Sequence, residues 1–289
     1  MIPSLSISID GQLFSTNTFS FPGGELQVAI PGLTFTEARD VHVIAHLQSS
    51  DALIQLMLAT EVLDRLVAYA FRRLTIPYFP YARQDRAMQD NEAFSLKVAC
   101  YLINGLAYDR VTVMDPHSDV LPALLNRVRV VSQLDLVRDF VQLTDLVRAN
   151  KDLVIVSPDA GAAKKAFKIA QHFQRPLAVA GKQRDVATGD ILCTTLTDPK
   201  SVAGRACLIV DDICDGGRTF VQLAKVLRAA GATSVHLYVT HGIFSNGLGV
   251  FEGLIDSVFT TDSFRKSLNL DDGSTIKHYR HSILTTQRD

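Results

Sequence analysis

Leu208-Ile209-Val210-Asp211-Asp212-Ile213-Cys214-Asp215-Gly216-Gly217-Arg218-Thr219-Phe220 decides how the chain is read. An apolar run ends in two adjacent carboxylates, a turn carries a third carboxylate and two glycines, and apolar residues recur at helical spacing from Val221 to Leu227 before Gly231. The order is strand, loop, helix. Glycines let the backbone wrap an anion, and the first N–H groups of the following helix sit at the positive end of its dipole, so a phosphate fits there. Asp211 and Asp212, at the carboxyl end of the strand, are expected to face one crevice, where they accept hydrogen bonds from sugar hydroxyls or hold a divalent metal. A sugar phosphate meets both needs. An ordinary strand-to-helix turn with solvated carboxylates is the competing reading, and the third carboxylate, Asp215, weighs against it.

Outward from that loop, strand and helix alternate. Leu5 to Ile9 and Glu25 to Ile30 show the period of two of short strands around a Pro22-Gly23-Gly24 turn, and Val41 to Ala45, Leu74 to Phe79 and Val111 to Met114 read as further strands. Apolar residues from Leu53 to Ala70 share one helical face, a second helix is expected from Ser95 to about Leu106, and Leu134 to Ala149 has helical periodicity. Leu153 to Val156, Pro176 to Ala180 and Val235 to Thr240 continue the strands. Such alternation predicts an α/β fold of mainly parallel sheets flanked by helices, with ligands at the carboxyl ends of the strands. Motifs sit at those ends: Tyr81-Ala82-Arg83-Gln84-Asp85-Arg86, suited to a nucleotide; Asp115-Pro116-His117-Ser118; Ser157-Pro158-Asp159-Ala160-Gly161; and Gly181-Lys182-Gln183-Arg184-Asp185. Lys182 and Arg184 can point the same way only if the backbone there is extended. Taken alone, His117 reads as a loop residue, Phe21 as a core aromatic and the Lys182 segment as a solvated basic turn.

The 289 residues are 47% hydrophobic and 20% charged, enough for two domains with their own cores, and a net charge of -1 without charge blocks points to neither nucleic acid nor membrane as partner. Four separated cysteines without a CxxC pair fit a reducing compartment, and neither a signal segment nor a membrane-length apolar run is read, so a cytoplasmic protein is expected.

The Asp211 to Thr219 segment resembles the phosphoribosyl-pyrophosphate loop of the type I phosphoribosyltransferase fold, and the chain as a whole resembles the ribose-phosphate pyrophosphokinases. Phe21-Pro22-Gly23-Gly24-Glu25, Ile76 to Arg86, Asp115 to Ser118, Ser157 to Gly161 and, more weakly, Val239 to Ser245 carry the likeness, in the family's order. The resemblance implies two phosphoribosyltransferase-like domains: residues 1–140, completed by 275–289 through a strand near Ile276 to Leu284, and residues 141–274. It implies transfer of the β,γ-diphosphoryl group of ATP to the C1 hydroxyl of ribose 5-phosphate, with Mg²⁺ as cofactor. ATP would be bound by Phe21, Glu25, Arg83, Gln84, Asp85 and His117, and the ribose phosphate by Asp211, Asp212, Asp215, Gly216, Gly217, Arg218 and Thr219. His117 and Asp159 would be metal contacts. Lys182 and Arg184 would be catalytic, opening a mobile flap over residues 186–199. Phe21 and Glu25 would reach a neighbouring subunit, making the protein a homo-oligomer, a dimer or a hexamer.

Departures from the family pattern accompany the likeness. The usual Asp-Thr-Gly-Gly-Thr loop is here Asp215-Gly216-Gly217-Arg218-Thr219, and the family's Asp between Phe and Gly-Glu is Gly23. Arg218 either tightens the hold on one phosphate or reaches a second, which raises an alternative acceptor, ADP-ribose, and with it a link to NAD metabolism. Ala87 to Glu92 stand where the family has a basic segment, so the anion site used in regulation is not expected. Two other classes are weighed: a phosphoribosyltransferase, which would have no need of the Tyr81 to Arg86 segment or His117 for ATP, and an inactive regulatory subunit, against which the joint presence of Lys182, Arg184, His117 and three loop carboxylates counts.

Overall fold

The computed structural model describes residues 4–184, 191–264 and 276–282, and the chain divides into two units, residues 1–132 and 133–289.

Alternating burial builds the first unit. In β1 (Leu5–Ile9) and β6 (Asp40–Ala45) every second residue is buried, which commits one face of each to a core. These join β2 (Gln12–Phe14), β8 (Phe71–Ile76), β9 (Arg110–Met114) and β10 (Val128–Val131) in a six-stranded sheet of order β10-β9-β8-β6-β1-β2. β6, β8, β9 and β10 are parallel neighbours, and β1 is antiparallel to both β6 and β2. Two small pairs stand apart: the hairpin of β3 (Asn17–Ser20) and β4 (Leu26–Ala29), and β5 (Thr36–Glu37) beside β7 (Val67–Ala68). Helices α1 (Ser50–Leu66), α2 (Ser95–Gly105) and α3 (Val120–Leu124) complete the unit. Ser49 caps α1 by accepting from the Ala52 N–H at 3.1 Å, and Leu53, Leu56 and Leu63 turn its apolar stripe into the core.

The second unit has a seven-stranded sheet of order β13-β12-β11-β14-β15-β16-β17, from β11 (Val154–Ser157), β12 (Leu177–Arg184), β13 (Ile191–Leu196), β14 (Ala206–Cys214), β15 (Ser234–Gly242), β16 (Ser257–Thr261) and β17 (Lys277–His281). Only the β12–β13 pair is antiparallel. α4 (Gln133–Asp139), α5 (Val141–Ala149) and α6 (Ala163–Phe173) share a buried cluster with Leu208 and Val210. Cys207 and Ile209 pack on the opposite face under α7 (Arg218–Ala229). The central strand β14 is therefore buried on both sides, as parallel strands between helical layers are.

Three expectations are corrected. The helix expected from Leu134 to Ala149 is broken at Phe140, whose backbone is extended (φ -87, ψ 92) and whose ring is fully buried, edge-on to Tyr238 and Phe259 and stacked on His281 at 5.3 Å. Val137 and Phe140 belong to the second unit's core, so the boundary falls after Ser132 rather than after residue 140. The strand at the end of the chain pairs in parallel with β16 from Ser257↔Lys277 to Thr261↔His281, joining the second sheet instead of returning to the first. Residues 275 and 283–289 of that expectation lie outside the described ones. Among the described residues no helix is long and apolar enough to cross a membrane.

Phe140→Ala removes the aromatic wedge on which α4, α5 and the β15–β17 edge meet. It is expected to cost about 3–5 kcal/mol in equilibrium unfolding; a loss below about 1 kcal/mol would show that the break between α4 and α5 is not what seats these helices.

Candidate functional site

The turn after β14 is held from one side by the connection between β15 and β16. Ser245 donates from Oγ to Asp215 Oδ1 at 2.7 Å, Asn246 donates from Nδ2 to the Gly216 carbonyl at 3.2 Å, and the Ile243 N–H donates to the Cys214 carbonyl at 2.8 Å. Gly217 has a left-handed backbone (φ 81), and a Cβ there would lie 2.7 Å from the Phe251 ring, so conformation and space both demand glycine. Its carbonyl accepts from the N–H groups of Phe220 and Val221, each at 3.0 Å, which starts α7 with Arg218 and Thr219 in its first turn. The predicted loop residues Asp215 to Thr219 thus stand together at a helix N-terminus, where backbone geometry favours an anion.

The two carboxylates before the loop are neighbours in a strand and still interact. β14 runs on to Cys214 because Ile213 and Cys214 still pair with His241 and Gly242 of β15. Asp211 and Asp212 are therefore consecutive in a strand, where the pleat starts successive side chains on opposite sides, yet the two carboxyl groups reach each other. Asp212 is 6% exposed and pairs with Lys165 at 3.4 Å. Burial, the Asp212 charge and the nearby Asp159 push the Asp211 carboxyl well above its ordinary value, against a hydrogen bond from the Asp212 N–H to Asp211 Oδ1 at 2.9 Å. Asp159 stands two residues beyond the end of β11, where its Oδ1 accepts from the Ala162 N–H at 3.0 Å and its carbonyl accepts from Ser157 Oγ at 2.7 Å. Burial raises the Cys214 thiol out of the reactive range, and it pushes Cys100 up to about 12 and Cys207 up to about 11, as structural thiols require.

Lys182 and Arg184 lie on an extended backbone, because β12 continues past Ala180 to pair with β13, Lys182 opposite Thr194 and Arg184 opposite Ile191. Their side chains, and residues 186–190 of the flap expected over 186–199, lie outside the described residues, and Ile191–Leu196 of that stretch form β13.

In the first unit, Arg83, Gln84, Asp85 and Arg86, with Met88 and Glu92, line a cavity of about 440 Å³. Arg86 donates from Nε to Asp85 Oδ1 at 2.8 Å and from Nη2 to Oδ2 at 3.2 Å. That pairing holds the Asp85 carboxyl below its ordinary value against burial, with help from the Ser118 hydroxyl and the His117 charge. Asp85 therefore lies near the His117–Ser118 segment as well as pairing with Arg86. Phe21 is not a core aromatic: it is 48% exposed at the tip of the β3–β4 hairpin, edge-on to Phe19 at 5.0 Å. Glu25 closes the tip through backbone, its carbonyl accepting from the Phe21 N–H at 2.8 Å, and its carboxylate lies where a Cβ at Gly23 would be.

Sequence reading missed Lys165, Ser245 and Asn246. Ser245 stands in the weak Val239 to Ser245 likeness and was a legible signal; the other two reach the site through contacts 47 and 30 residues distant in sequence.

Comparison with known proteins follows the same division. The description "N-terminal domain of ribose phosphate pyrophosphokinase" matches residues 5–106, and "phosphoribosyl transferase domain" matches residues 134–248. A ribose-phosphate pyrophosphokinase of Bradyrhizobium diazoefficiens is 32% identical over 234 residues, covering 77% of this chain and 71% of its own. One from Ralstonia nicotianae is 34% identical over 254 residues, covering 84% and 76%. The crystal structure of phosphoribosylpyrophosphate synthetase from Mycobacterium smegmatis matches with a TM-score of 0.81 at 24% identity, over 96% of this chain and 89% of that one, a likeness of fold.

Two outcomes follow from the charges. Asp85 has a lowered folded-state pKa, so the stability it contributes is present above its unfolded value of about 3.9 and is lost as pH falls through the folded value. Urea unfolding of wild type and Arg86→Ala is expected to differ at neutral pH, with a gap that starts to close as pH falls below about 3.9 and is gone once pH has passed the lowered folded value; a gap independent of pH would reject the pairing. Asp211 has the opposite sign, its charge opposing folding as pH rises through the raised value, so Asp211→Asn is expected to raise the melting temperature at pH 7 while lowering turnover. An unchanged or lower melting temperature would contradict the crowding of carboxylates there.

Proposed function

The chain belongs to the ribose-phosphate pyrophosphokinase family, and from that premise we propose that it transfers the β,γ-diphosphoryl group of ATP to the C1 hydroxyl of ribose 5-phosphate. The hydroxyl oxygen bonds to the β-phosphorus and loses its proton, the bond from that phosphorus to the α,β-bridging oxygen breaks, and AMP leaves with that oxygen. The observation that carries the reading is the glycine turn at 216–217, pinned by Ser245, Asn246 and Phe251 at the start of α7, with the carboxyl of Asp211 beside Asp212 and Asp159 at the strand end before it. An anion at the turn and a sugar hydroxyl at the carboxylate are the two ends of a ribose 5-phosphate.

Each residue then has a role set by its chemistry. Gly216, Gly217, Arg218 and Thr219 bind the 5-phosphate, Asp215 and Asp211 orient the sugar, and Asp212 acts through its pairing with Lys165. Arg83, Gln84, Asp85 and His117 bind ATP, and Phe21 and Glu25, on an exposed hairpin tip, offer adenine contacts to a neighbouring copy in a homo-oligomer. Phosphoryl transfer asks little covalent work of a protein; positioning and cations carry it, and Lys182 and Arg184 supply the cations at the end of β12. Among the described residues no group of three or more His, Cys, Asp or Glu is placed to hold a metal. Mg²⁺ keeps several waters and commonly takes only one or two protein ligands. His117 in the first unit and Asp159 in the second, the latter in a setting made negative by Asp211, are each a residue that would hold it, and when bound it would neutralise phosphate charge.

Incubated with ATP and Mg²⁺, the protein is expected to release AMP when ribose 5-phosphate is present and to add a diphosphate to that acceptor. Release with ADP-ribose alone would move the reading to the larger acceptor, and release with neither would remove it. Lys182→Ala is expected to lower kcat by roughly 10² to 10³ with little change in the KM for ATP, and an unchanged kcat would reject its role.

A further inference from the structure

Asn246 differs from the other residues that hold the turn, because its carboxamide occupies the place where a side chain at 216 would begin. A Cβ on Gly216 would lie 2.9 Å from Asn246 Nδ2 and 3.7 Å from its Cγ. Gly216 is not among the glycines with a left-handed backbone, so its own conformation does not call for glycine; a side chain there would instead push the Asn246 amide aside. Asn246 is exposed at the turn and donates to the Gly216 carbonyl at 3.2 Å. A carboxamide has two N–H donors and a carbonyl oxygen, so this contact uses one donor of the two. The turn it covers has glycine at 216 and 217 and hence no side-chain donor of its own before Arg218.

We propose that Asn246 is a ligand of the acceptor's phosphate, supplying across the turn the polar group that residue 216 lacks. One N–H holds the Gly216 carbonyl and fixes the amide plane, and the other donates to a phosphate oxygen lodged at residues 216–219. Gly216 and Asn246 then form one unit in which the small residue makes room for the large one, and neither can be changed without the other. The proposal rests on the reading that this loop takes the acceptor's phosphate.

A double-mutant cycle tests it, with AMP release measured for wild type, Asn246→Gly, Gly216→Thr and the double variant at varied ribose 5-phosphate. Asn246→Gly is expected to raise the KM for ribose 5-phosphate about tenfold, the worth of one hydrogen bond to a charged group, with a smaller change in kcat and in the KM for ATP. Gly216→Thr, whose side chain must displace the amide, is expected to be impaired too. The double variant, where a hydroxyl has room, is expected to have a KM below that of either single variant. A KM for Asn246→Gly within twofold of wild type, or a double variant equal to the product of the singles, overturns the proposal. If wild type turns over no ribose 5-phosphate, the functional reading falls, and calorimetric titration of the same four proteins with inorganic phosphate decides Asn246 separately. Weaker binding by Asn246→Gly then supports it, and equal binding, or none by wild type, overturns it.

Discussion

Burial of β14 on both faces is the constraint from which the site follows. Leu208 and Val210 lie under α6, Cys207 and Ile209 under α7, and a strand so enclosed has no place for an uncompensated charge. Polar side chains enter only where a neighbour stops. In the register Val156↔Ile209, β11 ends at Ser157, level with Val210, so Asp211 is the first residue of β14 with no β11 strand beside it. Strand length, set by apolar packing, therefore positions the carboxylates, and the adjoining helix starts position the anion cradle beyond them.

The cradle is rigid for a related reason. Its shape comes from contacts with residues 243–251, which hold it by hydrogen bonds at Asp215 and Gly216 and by an aromatic ring over Gly217. Those residues are in turn fixed by buried Phe244, Leu248 and Phe251 in the core under α7. A loop seated on the core in this way offers its N–H groups without reorganising when an anion arrives, and such preorganisation gives backbone donors their strength.

Local patterns were legible in the sequence, and tertiary decisions were not. Alternation in Leu5 to Ile9, the apolar stripe of α1, and the strand-loop-helix order at 208–231 each depend on a few neighbouring residues, and the structure keeps them, except that the stripe expected to reach Ala70 stops with α1 at Leu66 and Val67–Ala68 pair in β7. β14 outran its apolar run because ladder pairing with His241 and Gly242 continues regardless of side-chain type. β12 likewise continued through Lys182 to Arg184 because β13 was there to pair with it. The helical period through Leu134 to Ala149 gave no hint that Phe140 would leave the helix to fill a gap between Tyr238 and Phe259. Phe21, apolar and so assigned to a core, is exposed because it stands in the turn beyond Ser20, whereas the hairpin commits Val28 of β4 to the core.

The acidic cluster shows what the second unit gives up for this arrangement. Asp159, Asp211 and Asp212 meet beyond the ends of β11 and within β14, and Lys165 pairs with Asp212. Asp211 retains like-charge repulsion from its two neighbours and the cost of its own burial, which is why its carboxyl holds a proton to unusually high pH. A purely structural residue at that position would do better uncharged, since an apolar or amide side chain would relieve both terms.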